Sequence, residues 1–324
     1  MQERYFIGVD LGGTNIKAGL VTEKAKVIVK TSLATEAPNG PDHVLNRIVM
    51  AVNEVIRRSG LDGDRIAAIG VGSPGTLDTK TGVVLYPPNL PGWRNVPLIE
   101  YVEKKTGIRA VLENDANAAA YGEYWAGAAK GADPVVMFTL GTGIGGGIII
   151  DGRLVHGNTD AGGELGHIVI EVEGRKCACG NRGCLERYAS ANAMAMRFAE
   201  AVAAGEQSSL AAKVDNGDEV TSKMIYEAAL AGDDLANRIM WETGMFLGVG
   251  VVNMLHTINP ARVVLAGGLA AAGDLLMRPV LETVEKRALP DTQRDCVICF
   301  ATLGEDAGLI GAAGCALAAF GTSQ

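Results

Sequence analysis

The sequence predicts an α/β protein built as two related lobes, and three observations carry that reading. Moved by 129 positions without a gap, Phe6-Ile-Gly-Val-Asp-Leu-Gly-Gly-Thr14 falls on Val135-Val-Met-Phe-Thr-Leu-Gly-Thr-Gly143. Both are apolar runs that end in a Leu-Gly turn and re-enter a second apolar run, and such a repeat marks two units of like topology with a cleft between them. Short β-branched runs then alternate with apolar residues at helical spacing, the pattern of a layered α/β fold. Glycine is 43 of 324 residues, about twice the usual ~7% share, which fits several loops whose backbone approaches a phosphate closely.

In chain order, Tyr5–Asp10 reads as a strand, Leu11 to Asn15 as a tight turn and Ile16–Val21 as the returning strand. Gly12 and Gly13 let amide groups approach an anion without a Cβ in the way, Thr14 and Asn15 add donors, and Lys17 adds charge. The turn is thus a candidate phosphate cradle as well as a plain hairpin. Pro41–Ser59 carries Val44, Leu45, Ile48, Val49, Val52 and Ile56 at helical spacing, and Ile66–Val71 is a buried strand broken by Ser73-Pro-Gly-Thr76. Leu85–Pro97, rich in Pro, Asn and Gly, reads as a long loop of the kind that carries function, so Asn89 and the backbone at Gly75 are candidate ligand contacts. Ile108–Leu112 is a short strand, and Glu113-Asn-Asp115 leads into an Ala-rich helix over Ala116–Tyr124 that Asn114 or Asp115 caps. A helix N-terminus favours an ionised carboxylate, which makes Asp115 both a cap and a candidate proton acceptor.

The second hairpin continues Ile144-Gly-Gly-Gly-Ile-Ile-Ile-Asp151. Beyond it, Glu164–Glu186 sets His167, Cys177, Cys179 and Cys184 between two glutamates at the spacing H-x9-C-x-C-x4-C. Three thiolates and an imidazole are the ligands of a closed tetrahedral zinc site, which has no open position for water and is therefore structural. Disulfides or plain buried thiols are the alternative, but Cys-x-Cys on a Gly/Asn/Arg knuckle fits ligand spacing better than disulfide geometry. Helices follow over Tyr188–Ala204, Met224–Ala231 and from Asp233 to about His256. Arg262–Ala266 is another buried strand, and Ala266-Gly-Gly-Leu269 opens a further helix where a nucleotide's base or ribose would lie against backbone. The terminal helix, Glu305–Phe320, gathers Gly308, Gly311 and Gly314 on one side for close packing.

Composition narrows the function. At 48% hydrophobic and 20% charged the chain is globular, and a net charge of −8 gives no basic footprint for nucleic acid or an anionic membrane. Met1-Gln-Glu-Arg4 is followed by too short an apolar stretch for a signal peptide, so a cytoplasmic location is expected. The uncharged run Pro134–Ile150 is interrupted by glycines and threonines, and neither it nor the C-terminal run makes a ~20-residue span. Cys296, Cys299 and Cys315 lie in apolar segments and read as reduced, buried thiols.

Asp10 to Lys17, Glu113-Asn-Asp115, Leu140-Gly-Thr-Gly-Ile-Gly-Gly-Gly147, Glu164-Leu-Gly-His167, Cys177-x-Cys-Gly-x-x-Gly-Cys-Leu-Glu186 and Ala266-Gly-Gly-Leu269 together resemble the ROK family of repressors and sugar kinases, most of all its bacterial glucokinases. The resemblance spans essentially the whole chain and implies the actin-like ATPase (ribonuclease H-like) fold. It implies a small lobe of residues 1–122 with 305–324, carrying the first hairpin and the catalytic Asp, and a large lobe of residues 123–304. Asp115 would be the general base for the sugar's 6-hydroxyl, with Gly75, Asn89, Asn114, Glu164, His167 and Glu186 binding the sugar. Asp10, Gly12, Gly13, Thr14, Asn15 and Lys17, together with Thr139, Gly141, Thr142, Gly143 and Gly145, would hold the phosphates, with Asp10 at Mg²⁺. Gly267 and Gly268 would lie by the adenosine of ATP.

Glucose is the expected sugar. A kinase for N-acetylmannosamine, N-acetylglucosamine, fructose or allose is the nearest rival, and polyphosphate is an alternative donor. A sugar-sensing repressor of the same family would carry a helix-turn-helix ahead of the first hairpin, where only four residues precede Tyr5. Relatives imply a homodimer or homotetramer.

Overall fold

The computed structural model describes residues 3–321. Its strands are β1 (Tyr5–Leu11), β2 (Asn15–Thr22), β3 (Val27–Ala34), β4 (Ile66–Ser73), β5 (Thr76–Asp78), β6 (Val83–Tyr86), β7 (Ala110–Asn114), β8 (Val135–Leu140), β9 (Ile144–Ile150), β10 (Arg153–Leu154), β11 (Arg262–Ala266) and β12 (Val297–Phe300). They form two five-stranded sheets, ordered β3-β2-β1-β4-β7 and β10-β9-β8-β11-β12, and a small β5-β6 ribbon. The two orders are one topology used twice, with β8 and β9 taking the places of β1 and β2, as the repeat requires. In the first sheet β1 pairs antiparallel with β2, Asp10 opposite Lys17, and parallel with β4. In the second, β11 lies parallel to both β8 and β12.

The chain forms two compact units: the chain up to Ala132 with Gly147–Gly163 and the chain from Thr302, and Asp133–Gly146 with Glu164–Ala301. The boundaries between these units fall near Ala132 and Thr302, and Gly147–Gly163 packs with the first unit. Glu123 helps set them. Its fully buried carboxylate accepts hydrogen bonds from the backbone N–H of Ala128, Thr302 and Leu303, which ties both boundary segments to the helix Asp115–Ala126.

In the first unit, the helix Pro41–Ser59 buries Val44, Leu45, Ile48, Val52 and Val55 against Ile7, Val9, Ile16, Ala18 and Leu20 of the sheet. The other face is covered by the terminal helix Ala307–Phe320, with Leu309, Ile310 and Ala313 on Phe6, Val21 and Ala68. Here backbone meets backbone. A Cβ on Gly8 would overlap the Leu309 carbonyl, one on Gly70 the Ala312 carbonyl, and one on Gly311 the Ala118 carbonyl of the helix Asp115–Ala126. The sheet glycines Gly8 and Gly70 thus meet the backbone of the terminal helix at Leu309 and Ala312, while Gly311 of that helix meets the helix Asp115–Ala126, and only hydrogen fits at each contact.

The long loop before Pro97 is compact rather than open: Leu90 and Trp93 are buried, and Val96 bridges back to Val84. Among the described residues no helix is long and apolar enough to cross a membrane.

Candidate active site

In the first unit, β7 delivers Asn114 as the N-cap of the helix Asp115–Ala126. Asn114 Oδ1 accepts from the N–H of Ala116 (2.9 Å) and Asn117 (3.2 Å), so the cap is Asn114 and Asp115 is the first helical residue. Capping occupies the Asn114 oxygen and leaves its amide N–H groups to donate to a ligand. Asp115 Oδ1 accepts from Ala116 N at 2.8 Å. Asp10, at the end of β1, is close enough for the two charges to interact. Burial first, and then the charge of Asp115, push the Asp10 carboxyl up to about 6, while Lys17 pulls it down less.

The first turn is arranged differently from a simple amide cradle. Gly12 N–H donates to the Asn15 carbonyl (3.0 Å), Thr35 Oγ1 donates to the Gly12 carbonyl (2.7 Å) and Thr35 N–H to the Thr14 carbonyl (2.7 Å). The Gly12 amide therefore closes the turn, and Thr35, which sequence reasoning passed over, braces it. Lys17 is likewise committed, donating to Glu305 Oε2 at 3.1 Å. Asn89 stands beside Gly13, where a Cβ would come within 3.3 Å of Asn89 Cβ. Gly75, at φ 89°, turns where a Cβ would collide with the backbone of Tyr86 and Pro87, so glycine is required there.

In the second unit, a cluster is built around the backbone of Ile144 at the start of β9. Glu186 Oε2 accepts from Ile144 N–H at 2.9 Å, and the short 3₁₀ turn Leu165–His167 presses Gly166 against the Ile144 carbonyl so closely that any Cβ would overlap it. The turn that carries Glu164 and His167, the residue Glu186 and the Thr139–Gly145 hairpin are thereby one assembly. Gly141 N–H closes that hairpin by donating to the Gly143 carbonyl (3.0 Å), the counterpart of Gly12 in the first turn. Thr139, at the end of β8, stands opposite Ala266 of β11. Gly267, at φ 91°, continues from β11 so close to the Leu140 carbonyl that only glycine fits, which brings the predicted adenosine segment onto the hairpin. Gly268 has open space where its side chain would be, and Thr142 and Gly145 lie on the same hairpin. The segment after Gly267 opens as a 3₁₀ turn, Gly268–Ala272, before the helix Asp274–Arg287 begins.

The knuckle brings its four predicted ligands together. Their ligand atoms all lie within 4.8 Å of one another. Cys177 Sγ stands 3.7 Å from His167 Nδ1, and Cys179 Sγ 3.7 Å from Cys184 Sγ. A disulfide needs sulfurs at ~2.0 Å, whereas the edge of a tetrahedron with ~2.3 Å metal–sulfur bonds is about 3.7 Å, so the donor set fits one Zn²⁺. Gly183, at φ 74° and tight against the Glu171 carbonyl, and Gly180, at φ 94°, make the turns. Ile170 N–H and Leu185 N–H then bond the Gly183 and Ile168 carbonyls, and Leu185 immediately precedes Glu186. Folding the knuckle therefore sets where Glu186 starts.

Two sheets of one topology, each opening with a Gly-rich hairpin, and a carboxylate at the start of a helix define a protein of the actin-like ATPase fold. The chain belongs to the ROK family, whose model matches residues 6–319. It is 41% identical over 314 residues to the glucokinase of Thermotoga maritima, covering 97% of each chain. It is similar to the crystal structure of a ROK hexokinase from Thermus thermophilus (32% identity, TM-score 0.80, covering 95% of this chain and 96% of that one). It is also similar to that of a ROK family glucokinase from Streptomyces griseus in complex with glucose and AMPPNP (35% identity, TM-score 0.76, covering 95% and 98%).

Proposed function

We propose that this protein is a glucokinase that transfers the γ-phosphoryl group of ATP to the 6-hydroxyl of glucose. The observation that carries the reading is the end-to-end likeness to glucokinases, together with a Glu-Asn-Asp motif whose aspartate begins a helix.

A primary alcohol is a poor nucleophile, so the hydroxyl oxygen must be aligned with the γ-phosphorus and its proton given an acceptor. Asp115 is that acceptor. The new bond joins the sugar oxygen to phosphorus, the bond between the γ-phosphorus and the bridging oxygen breaks, ADP leaves with the electron pair, and the proton passes to Asp115. The phosphoryl-transfer transition state is largely dissociative, so the proton moves late and most acceleration comes from stabilising charge on the phosphoryl oxygens.

Mg²⁺, when bound with ATP, supplies much of that stabilisation, and Asp10, a hard oxygen donor, is the residue that would hold it. The hairpins Asp10–Thr14 and Thr139–Gly145 hold the phosphates, with Asn15 and Lys17 supporting the first of them. Gly267 and Gly268 take the adenosine side. Asn114, Glu164, His167 and Glu186, with Asn89 and the Gly75 backbone, bind the sugar hydroxyls.

His167, which faces Cys177 through Nδ1, keeps Nε2 for a hydroxyl; with Cys177, Cys179 and Cys184 it would hold a structural Zn²⁺, which would fix that tautomer. The enzyme works in the cytoplasm, as a homodimer or homotetramer, in sugar breakdown, with no nucleic acid or membrane partner.

An ADP-release assay over glucose, N-acetylmannosamine, N-acetylglucosamine, fructose and allose, with ATP and polyphosphate as donors, tests the assignment. ATP with glucose should give the highest kcat/KM, and a higher value for any other pair overturns it. Asp115→Asn should lower kcat by roughly 10²–10⁴-fold with glucose binding nearly intact, and wild-type turnover in that variant removes Asp115 from the chemistry.

A further inference from the structure

Glu113, the residue before Asn114, is a buried carboxylate, 5% exposed, with no sugar or phosphate role assigned above. Three donors converge on it. Asn114 N–H (2.9 Å) and Asn117 Nδ2 (3.0 Å) reach Oε1, and His156 Nε2 stands 2.7 Å from Oε2. Asn117 lies in the first turn of the helix that Asp115 begins, and its Oδ1 is buried without a partner among the described residues, so its side chain is held through Glu113. The strand end and first turn that present Asn114 and Asp115 therefore hang on one carboxylate.

That carboxylate is met from outside by one imidazole. His156 follows β10 on a loop that is itself built. Gly162 N–H donates to the His156 carbonyl (2.8 Å), and Asp160 Oδ2 accepts from Thr79 N–H (2.8 Å) at the end of β5. A Cβ on Gly162 would come within 2.8 Å of the Val155 and His156 backbone, so the loop closes only around glycine.

We propose that His156 is a positioning residue for phosphoryl transfer, holding through Glu113 the strand end and helical turn that carry Asn114 and the catalytic Asp115. The proposal rests on the glucokinase reading. The charged and titratable groups facing the pair are Asp160 beside His156 and Cys315 of the terminal helix near Glu113; burial keeps the Cys315 thiol protonated. Hydrogen bonding to Glu113, opposed by burial, raises the His156 pKa above its ordinary value. The bond is charge-assisted while His156 is protonated, and it weakens as pH rises through the histidine's raised pKa.

The test measures kcat, KM for glucose, KM for ATP and thermal stability from pH 6 to 9 for wild type, His156→Ala and His156→Gln. His156→Ala should lower kcat about tenfold, the factor that ~1.4 kcal/mol of lost alignment gives, with KM for ATP unchanged. His156→Gln, whose amide still donates but does not titrate, should recover most of kcat and lose the wild-type fall on the alkaline side. A folded His156→Ala enzyme with kcat within twofold of wild type overturns the proposal. So does a His156→Gln enzyme that keeps the wild-type alkaline fall, and this second readout decides alone where His156→Ala fails to fold. Wild type inactive on glucose sinks the glucokinase reading and this one with it, whereas active wild type with unaltered variants sinks only the positioning role.

Discussion

Asp10 carries a charge that the folded protein holds at a cost, and removing that charge should stabilise the protein while abolishing its activity. Its carboxyl is pushed from 3.8 up to about 6, first by burial and then by Asp115. Raising a carboxyl that far disfavours its ionised form by about 3 kcal/mol. The terminal helix works the other way: a Cβ on Gly308, in its first turn, would stand 3.0 Å from the Asp10 carboxyl carbon, and a helix start favours an anion by ~0.3–1 kcal/mol. Burial wins, and roughly 2–3 kcal/mol remains.

The sign follows from linkage. An aspartate whose folded pKa lies above its unfolded value costs nothing below about pH 4, where both states are protonated. The cost grows between roughly pH 4 and 6 and is complete above that. Asp10→Asn copies the protonated form at every pH. In chelator at pH 7.5 the variant should melt about 3–5 °C above wild type, and at pH 4 the two should coincide. With ATP and Mg²⁺ its turnover should be lost. A variant that melts with or below wild type at pH 7.5 would refute the reasoning, as would a stabilisation of equal size at pH 4.

Gly311→Ala forces a methyl into the Ala118 carbonyl and should cost ~3 kcal/mol or more, read as a lower melting temperature; a loss under ~1 kcal/mol would mean the helices can part. Cys184→Ser removes one of four knuckle ligands, and metal analysis of purified protein should show zinc falling from about one per chain, with KM for glucose rising because Glu164 and Glu186 lose their frame. A fall in kcat alone would speak for a catalytic metal instead. Glu123→Gln replaces a carboxylate that accepts from three backbone N–H groups by a neutral amide, and denaturant unfolding should report a loss of ~2–4 kcal/mol.

Much of the architecture is legible in the sequence because it rests on local chemistry. The 129-residue repeat foretells two sheets of one order, and the cap at Asn114–Asp115 and the ligand spacing at His167–Cys184 map onto contacts directly. What stays hidden depends on partners far away in the chain. β3 and β12 lie at sheet edges, and β12, four residues around Cys299, has too short a run to separate from loop. The ion pair of Lys17 with Glu305 stays hidden because 288 positions separate the two in the sequence. Gly12 and Gly141 read as amide donors to a ligand, but a tight turn must close itself first, and their N–H groups do that. His156 carries no signal at all: one histidine after a two-residue strand gives no hint of a buried glutamate forty-three positions earlier.

The contact of bare backbones between the sheet glycines and the terminal helix bears on how the protein is made. At ~5–20 residues per second, the helix beginning with Ala307 leaves the ribosome roughly 10–40 s after the one bearing Asp115. Until then Phe6, Val21 and Ala68 have no cover, and a slot lined by Gly8 and Gly70 waits for a segment that no ordinary side chain can replace. A nascent chain that has already displayed both hairpins and the knuckle should thus remain a protease substrate without catalytic competence, and one late docking event should confer durability and turnover together.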